Sequence, residues 1–156
     1  MRKKQLSFQE GLIKLQRYCA YQERCHSEVQ QKLYDLGVWK NDAENIIVKL
    51  IEDNFLNEER FAESYVHGKF SIKQWGKTKI KLKLKEKKVS DYCINKALAQ
   101  IDDSEYRQTL EKLLKKKRKD YQRKYKGYAL QAKLMNFALG KGYELDVVRE
   151  VVDLNY

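Results

Sequence analysis

Apolar side chains return every three or four positions along most of the chain, a spacing that places them on one face of an α-helix. The first segment shows this with Leu12, Leu15 and Cys19, and it opens with Ser7-x-x-Glu10, a capping box that can satisfy free backbone N–H groups. The sequence has 7 glycines and no proline, so few residues can interrupt such helices. The pattern predicts an all-α fold.

Capping signals divide the chain into short helices. A polar residue suited to a helix N-terminus precedes most of the later apolar stripes, and Gly37 is placed to end a helix in the left-handed conformation. The segment from Gly68 to Gly76 is predicted to be a connection. The predicted helix starts are Ser7, Ser27, Asn41, Asn57, Ser90 and either Asp103 or Ser104.

Lysine occupies every second position from residue 77 to residue 85, and a period of two is typical of a half-buried strand. A strand would place Ile80, Leu82 and Leu84 on one face. A helix would keep Ile80 and Leu84 together and direct Leu82 elsewhere. We predict a helix, because the segment aligns with two others that have helical spacing, and the strand stays open as the alternative.

That alignment is an internal repeat. Shifting the first set of apolar positions by 51 residues gives the second set, and a further 54 gives the third. We therefore predict three tandem three-helix repeats, helix-turn-helix-like, at residues 1–56, 57–101 and 102–156, stacked into an elongated and curved body. The aligned sets are Val29, Leu33, Val38, Ala43 and Ile47, then Ile80, Leu84, Val89, Ile94 and Leu98, then Leu134, Ala138, Tyr143, Val148 and Val152.

The chain is strongly basic. It carries 33 Lys+Arg against 22 Asp+Glu, a net charge of +11. The excess is +1 in residues 1–56 (9 basic, 8 acidic), +6 in residues 57–101 (11 and 5) and +4 in residues 102–156 (13 and 9). A balance of this kind favours polyanionic partners, so we expect the second and third repeats to face one.

Two basic tracts are the predicted binding surface. Between residues 77 and 88 only Glu86 is acidic, and such dense self-repulsion is relieved when an anion binds. A solvated helix surface is the alternative for these lysines. The predicted surface consists of Lys69, Lys73, Lys77, Lys79, Lys81, Lys83, Lys85, Lys87 and Lys88, and of Lys115, Lys116, Lys117, Arg118, Lys119, Arg123, Lys124 and Lys126.

Aromatic residues accompany both tracts. Tyr121, Tyr125 and Tyr128 are interleaved with the second tract, and Trp75 lies before the first. Aromatic rings beside cations suit stacking on unpaired bases. Packing in the core or at an interface is the alternative for the tyrosines, and for Trp75 the alternatives are an exposed anchor and a lid on the core.

Catalytic and metal-binding patterns are missing from the sequence. His26 and His67 have no metal-ligand spacing with Cys or a carboxylate, and Gly140-Lys-Gly142 lacks the other residues of a phosphate-binding P-loop. We therefore predict that the protein is not an enzyme and needs no metal or cofactor. The three cysteines, Cys19, Cys25 and Cys93, are expected to be small buried or half-buried thiols. Apolar runs are only a few residues long, so we expect a soluble, cytoplasmic protein without a membrane partner.

The middle of the chain resembles a known family. Arg60-Phe-Ala-Glu-Ser-Tyr-Val, followed by Gly76, Ile80, Leu84 and Val89 at the family's spacing, is similar to the core of the RecX family, bacterial regulators of the RecA recombinase. Arg24-x-His26-Ser-Glu-Val-x-x-Lys-Leu and Gly142-Tyr-x-x-x-x-Val148-x-x-Val151 fit the same family. Lys88 stands where the family has a glycine, and Leu82 where it has a polar residue.

The resemblance implies three tandem three-helix repeats and no catalysis. It also implies docking along the groove of the RecA–single-stranded DNA filament, with inhibition of ATP hydrolysis and strand exchange and promotion of filament disassembly. We thus expect a monomer that regulates DNA repair, recombination and the SOS response, with RecA and single-stranded DNA as partners. The alternatives are a general basic helical module that binds DNA or RNA without RecA, and a protein scaffold indifferent to polyanions.

Overall fold

The computed structural model describes residues 6–155, with side chains to residue 153, and within these residues it contains nine α-helices and no strand. The all-α prediction is confirmed. The helices are α1 (Phe8–Tyr21), α2 (His26–Asp35), α3 (Lys40–Glu52), α4 (Glu58–Ser71), α5 (Lys77–Glu86), α6 (Asp91–Leu98), α7 (Asp103–Tyr121), α8 (Gly127–Gly140) and α9 (Leu145–Asn155).

The chain divides into two compact units. The first unit contains the chain up to Tyr65 together with Leu84–Ile94, and the second contains Val66–Lys83 and the chain from Asn95 onward. The division passes through α4, α5 and α6. The limits of the three repeats therefore stay a prediction, and their outer limits, residues 1 and 156, lie outside the described residues.

Each unit has its own core. In the first unit α1, α2 and α3 pack against one another around fully buried Leu15, Leu33 and Ile46. In the second unit α7, α8 and α9 do the same around Leu110 and Leu134. Burial of such side chains, about 1.5–3 kcal/mol each, is what holds helices of this length together.

The helix prediction for residues 77–85 is confirmed, and burial explains why the alternation misleads. Ile80 and Leu84 are fully buried, whereas Leu82 is 57% exposed. A spacing of four places Ile80 and Leu84 one above the other on a helix, so tertiary packing overrides the period of two.

Several predicted helix limits are wrong. The cap of α2 is Cys25, whose N–H donates to the Glu28 carboxylate at 3.0 Å, and not Ser27. The cap of α3 is Trp39 rather than Asn41, and α7 is capped by Asp102, which accepts from the Glu105 N–H at 2.9 Å. The predicted connection at Gly68–Gly76 begins only after Ser71, because a glycine inside a helix is tolerated when the helix packs.

Other limits agree with the prediction. Ser7 accepts from the Glu10 N–H at 3.2 Å, and Asn57 accepts from the Arg60 N–H at 2.9 Å. Gly37 has a φ of +73° after α2. Lys88 has a φ of +62° after α5, so the lysine adopts the left-handed backbone that the equivalent glycines adopt.

Arg60 ties the start of α4 to the rest of the first unit. Its Nε lies 2.6 Å from a Glu23 carboxylate oxygen, and its other nitrogens donate to the Asn54 side chain and to the Asn54 and Phe55 carbonyls at 3.1–3.4 Å. A guanidinium presents several donors in a fixed plane, which a lysine ammonium cannot do. This explains the arginine at the start of the segment Arg60–Val66.

Candidate polyanion-binding surface

The second unit carries the entire charge excess. Its residues include 20 Lys+Arg and 9 Asp+Glu, a balance of +11, whereas the first unit has 13 of each and is neutral. Counting by thirds of the sequence hides this division, because the first basic tract is split between the units. A field of one sign attracts polyanions from a distance, so the second unit is the candidate surface.

The predicted surface residues fall on both units. The three lysines assigned to the first unit are partly compensated, since Lys85 lies 3.7 Å from Asp91 and Lys87 lies 3.6 Å from Glu28. Those in the second unit are Lys69, Lys73, Lys77, Lys79, Lys81, Lys83, Lys115, Lys116, Lys117, Arg118, Lys119, Arg123, Lys124 and Lys126.

The second tract is the more exposed part of this surface. Lys115, Lys116 and Lys119 are exposed on α7, whereas Lys117 and Arg118 are half-buried. The turn from α7 to α8 adds the exposed cations Arg123, Lys124 and Lys126. The helix ends at Tyr121, so these three cations belong to the connection and not to a helix face.

The start of α5 is bonded to the turn between α8 and α9. The Gly76 N–H donates to the Lys141 carbonyl at 2.8 Å, and the Thr78 N–H donates to the Gly142 carbonyl at 2.9 Å. A β-carbon at Gly76 would lie 2.3 Å from the Gly142 backbone, and one at Gly142 would lie 2.2 Å from Cβ of Lys79. Glycine is therefore required at both positions to let the two segments approach.

A related contact lies within the first unit. The Ser27 hydroxyl donates to the Lys87 carbonyl at 2.6 Å. Ser27 and Thr78 are separated by the first repeat shift of 51 residues, and Lys87 and Lys141 by the second shift of 54. The start of a second helix thus contacts a later turn in both units, and Ser27, predicted as a cap, is used for this contact instead.

Three backbone donors at the start of α5 are already bonded within the protein, those of Gly76, Lys77 and Thr78. Besides Gly76 and Thr78, the Lys77 N–H donates to the Tyr106 hydroxyl at 2.9 Å, and that hydroxyl donates to the Glu144 carboxylate. Burial and the bond to Glu144 raise the pKa of Tyr106. An anion at this surface would therefore be held by side chains and not by a helix N-terminus.

Lys73, Lys79 and Lys141 lie beside this contact, and we call them the Lys141 cluster together with Lys117, whose positive charge also acts on Lys141. The Lys141 ammonium donates to the Lys73 carbonyl at 3.1 Å. Burial lowers the pKa of Lys141, and the positive charges of Lys79, Lys73 and Lys117 lower it further. Like charges are thus close enough to repel one another, as expected of a site that holds an anion.

Sequence reasoning missed Lys141 because it stands outside both basic tracts. The signal that could have found it is the repeat, because Lys141 is equivalent to Lys87 and precedes the glycine that matches Gly37. The contact with Gly76 then places it beside the first tract.

The aromatic residues proposed for stacking differ in access. Trp75 is half-buried, with the ammonium groups of Lys69 and Lys79 4.8 and 4.4 Å from its ring centroid. Tyr121 and Tyr125 are half-buried and contact each other edge to face at 6.4 Å. Tyr128 is 88% exposed at the start of α8. Tyr128 has the most freely accessible ring of the four.

The cysteines are buried and free, as predicted for Cys19, Cys25 and Cys93. Among the residues that the structure describes, no group of His, Cys, Asp or Glu could hold a metal ion. None of the described helices is long and apolar enough to cross a membrane.

Known proteins are similar to this chain in sequence and in fold. Sequence models of the second and third three-helix domains of RecX match residues 57–98 and 104–152. The regulatory protein RecX of Streptococcus uberis is 32% identical over 139 residues, which cover 86% of this chain and 51% of that protein. RecX of Clostridium perfringens is 33% identical over 130 residues, 83% of this chain and 60% of that protein. The chain thus spans a little over half the length of these relatives.

A solved structure extends the likeness to the fold. The crystal structure of RecX from Lactobacillus salivarius superposes with a TM-score of 0.86 at 28% identity, covering 94% of this chain and 95% of that one. The matched domain descriptions confirm the prediction of three-helix repeats. The two domain models together match more than half of the sequence, and the chain belongs to the RecX family of regulatory proteins.

Proposed function

We propose that the chain binds the RecA–single-stranded DNA filament and inhibits RecA, lowering its ATP hydrolysis, strand exchange and filament growth during DNA repair and recombination. Membership of a family of regulatory proteins supports the regulatory role. The observation that carries the proposal of a nucleoprotein partner is the concentration of the whole +11 excess on the second unit.

A RecA filament on DNA is a long polyanion, because it carries the DNA phosphates along its length. A unit with 20 basic and 9 acidic side chains is attracted to such a target from a distance, and the attraction weakens as salt screens it. The neutral first unit lacks this attraction. We propose that the second unit makes the charged contacts of a monomer that acts in the cytoplasm by binding alone, without catalysis or cofactor.

A second candidate is a general basic module that binds DNA or RNA without RecA. The Lys141 cluster favours it, because converging ammonium groups can bind phosphates without a protein partner. The two candidates differ in what a loss of surface charge does to RecA-dependent activity.

Charge reversal on α7 separates the candidates. Lys115, Lys116 and Lys119 are exposed, so their replacement by glutamate should leave the core intact. The measurement is RecA-dependent ATP hydrolysis on single-stranded DNA, titrated with wild type and with this triple variant. We expect wild type to inhibit at amounts well below that of RecA, and the variant to need at least about tenfold more protein.

The matched control reverses three exposed cations of the first unit, Lys14, Arg17 and Lys40. It removes the same charge from the whole chain and should inhibit nearly as well as wild type. If wild type binds bare DNA but leaves the RecA ATPase unchanged, the general module is correct and the RecA proposal fails. If neither triple variant changes DNA binding or ATPase, the chain is a scaffold indifferent to polyanions.

A further inference from the structure

We infer that the Lys141 cluster is a phosphate-binding site that takes successive phosphodiesters of a single-stranded DNA backbone. The inference deepens the proposed function and rests on it for the choice of DNA as the source of the phosphates. It assigns the contact to four residues, of which one, Lys141, belongs to neither basic tract.

The site is built by three segments of the second unit. Lys73 and Lys79 come from the α4–α5 connection and α5, Lys117 from α7, and Lys141 from the turn after α8. The bonds from Gly76 and Thr78 to this turn, together with the tight approach of Gly142 to Lys79, fix the backbone from which Lys79 and Lys141 extend. This part of the backbone needs no ordering when a ligand binds, so only the lysine side chains lose freedom.

The charge of the cluster is uncompensated. None of the four lysines forms an ion pair with a carboxylate of the described residues, although Lys77, two residues before Lys79, lies 3.9 Å from Asp103. The lowered pKa of Lys141 agrees with this geometry, because its causes are burial and the other three lysines. A bound anion would remove the repulsion that the unliganded cluster carries.

The surroundings favour contact with the backbone rather than with the bases. The Trp75 ring is contacted by the Lys69 and Lys79 ammonium groups, so it orients a lysine of the cluster instead of offering a bare ring to a base. The N–H groups of Gly76, Lys77 and Thr78 are bonded within the protein. The groups that remain for a ligand are ammonium groups on flexible side chains, which bind phosphates and do not distinguish between bases.

A single strand suits this arrangement better than a duplex. Its backbone bends easily, so neighbouring phosphates can approach ammonium groups that converge from three segments. The phosphates of a duplex are held at fixed positions along a stiff rod.

The test measures binding of a fluorescent oligothymidylate to the full chain, without RecA, over a series of salt concentrations. We expect Lys141→Gln to weaken binding about three- to tenfold and to lower the slope of log affinity against log salt by about 0.7, the loss of one phosphate contact. The control is Lys133→Gln, an exposed lysine of α8 whose ammonium lies 4.9 Å from the Tyr125 ring. It should weaken binding less than twofold.

A second variant guards against misfolding. Lys117→Gln leaves the Lys141–Lys73 hydrogen bond in place and should give the same loss, with helical content and melting temperature unchanged. An abasic phosphodiester chain of equal length should bind as tightly as the oligothymidylate. The inference is wrong if the oligothymidylate binds equally well to Lys141→Gln, Lys117→Gln and Lys133→Gln.

Other ligands distinguish the source of the phosphates. Tighter binding of inorganic tripolyphosphate than of the oligothymidylate would assign the cluster to free polyphosphate, and tighter binding of an oligouridylate would assign it to RNA. Tighter binding of duplex DNA would exclude a single-strand site. The outcome is separable from the proposed function. If Lys141→Gln binds single strands like wild type and wild type still inhibits RecA, only this inference is wrong. If the cluster variants weaken DNA binding as expected but wild type does not inhibit RecA, only the proposal of a RecA partner is wrong.

Discussion

The backbone N–H of Gly76 donates to the carbonyl oxygen of Lys141 at 2.8 Å, and the next residue, Gly142, passes so close that only glycine fits at position 76. Gly76→Ala would place a methyl group 2.3 Å from the backbone of Gly142, which cannot move as a flexible side chain would. We expect this variant to lose about 2–4 kcal/mol of unfolding free energy, measured by urea denaturation.

Gly68→Ala is the matched control for this prediction. Gly68 lies inside α4, and nothing is within 4 Å of the position that its β-carbon would take. Alanine there should raise the unfolding free energy by about 0.5–1 kcal/mol, because it favours the helix. A Gly76→Ala variant as stable as wild type would show that α5 does not depend on the turn after α8.

Lys88 adopts a backbone conformation that disfavours every residue with a β-carbon. Its φ is +62°, close to the +73° of Gly37, its equivalent in the repeat. Lys88→Gly should therefore be more stable than Lys88→Ala by about 1 kcal/mol, since both variants lose the charge and only glycine relieves the strain. Thermal unfolding of the pair checks this, and equal stability would mean that this turn is unstrained.

Alkaline conditions should destabilise the fold. Burial raises the pKa of Cys19 from its ordinary value of 9.0 to about 11, and burial also raises the pKa values of Tyr106 and Tyr143. The folded state holds these protons more tightly than the unfolded chain. The contribution of Cys19 is complete below pH 9 and is lost as the pH rises through 11, whereas the two tyrosines begin to lose theirs only above pH 10.

Urea denaturation at a series of pH values measures this loss. The unfolding free energy should fall between pH 9 and pH 11, and Cys19→Ala should show a shallower fall from a lower starting value, because a buried side chain is shortened. An unfolding free energy that is constant over this range, or a Cys19→Ala slope as steep as that of wild type, would contradict the assigned burial.

Local rules recovered the helices but not all of their ends. Periodicity found Ile80 and Leu84, yet the same helical spacing also includes Ile51 and Leu145, which are 44% and 43% exposed. An apolar stripe shows which face of a helix is buried, but it does not show how much of that face the neighbouring helices cover. Ser27 is a suitable residue type for a helix cap, but its hydroxyl donates instead to the carbonyl of Lys87, 60 residues away.

The candidate site was also only partly predictable, because local sequence shows its charges but not which segments pack together. The tracts from Lys77 and from Lys115 are visible in the sequence, and so is the likeness of the whole chain to the family. The assignment of Lys79 and Lys85 to different units depends on which parts of α5 pack with which core, and this is long-range information. Lys141 lies beside Lys79 because the turn after α8 is bonded to the start of α5, and its place in the repeat, not a run of neighbouring charges, is what marks it in the sequence.

Imaging a RecA–single-stranded DNA filament by electron microscopy in the presence of this protein tests the central claim most directly. The second unit should appear as density that follows the filament, with α7 and the Lys141 cluster toward it, and the Lys115, Lys116 and Lys119 charge-reversal variant should leave the filament bare. A filament that stays bare with wild type, or density that contacts it only through the neutral first unit, would contradict the account.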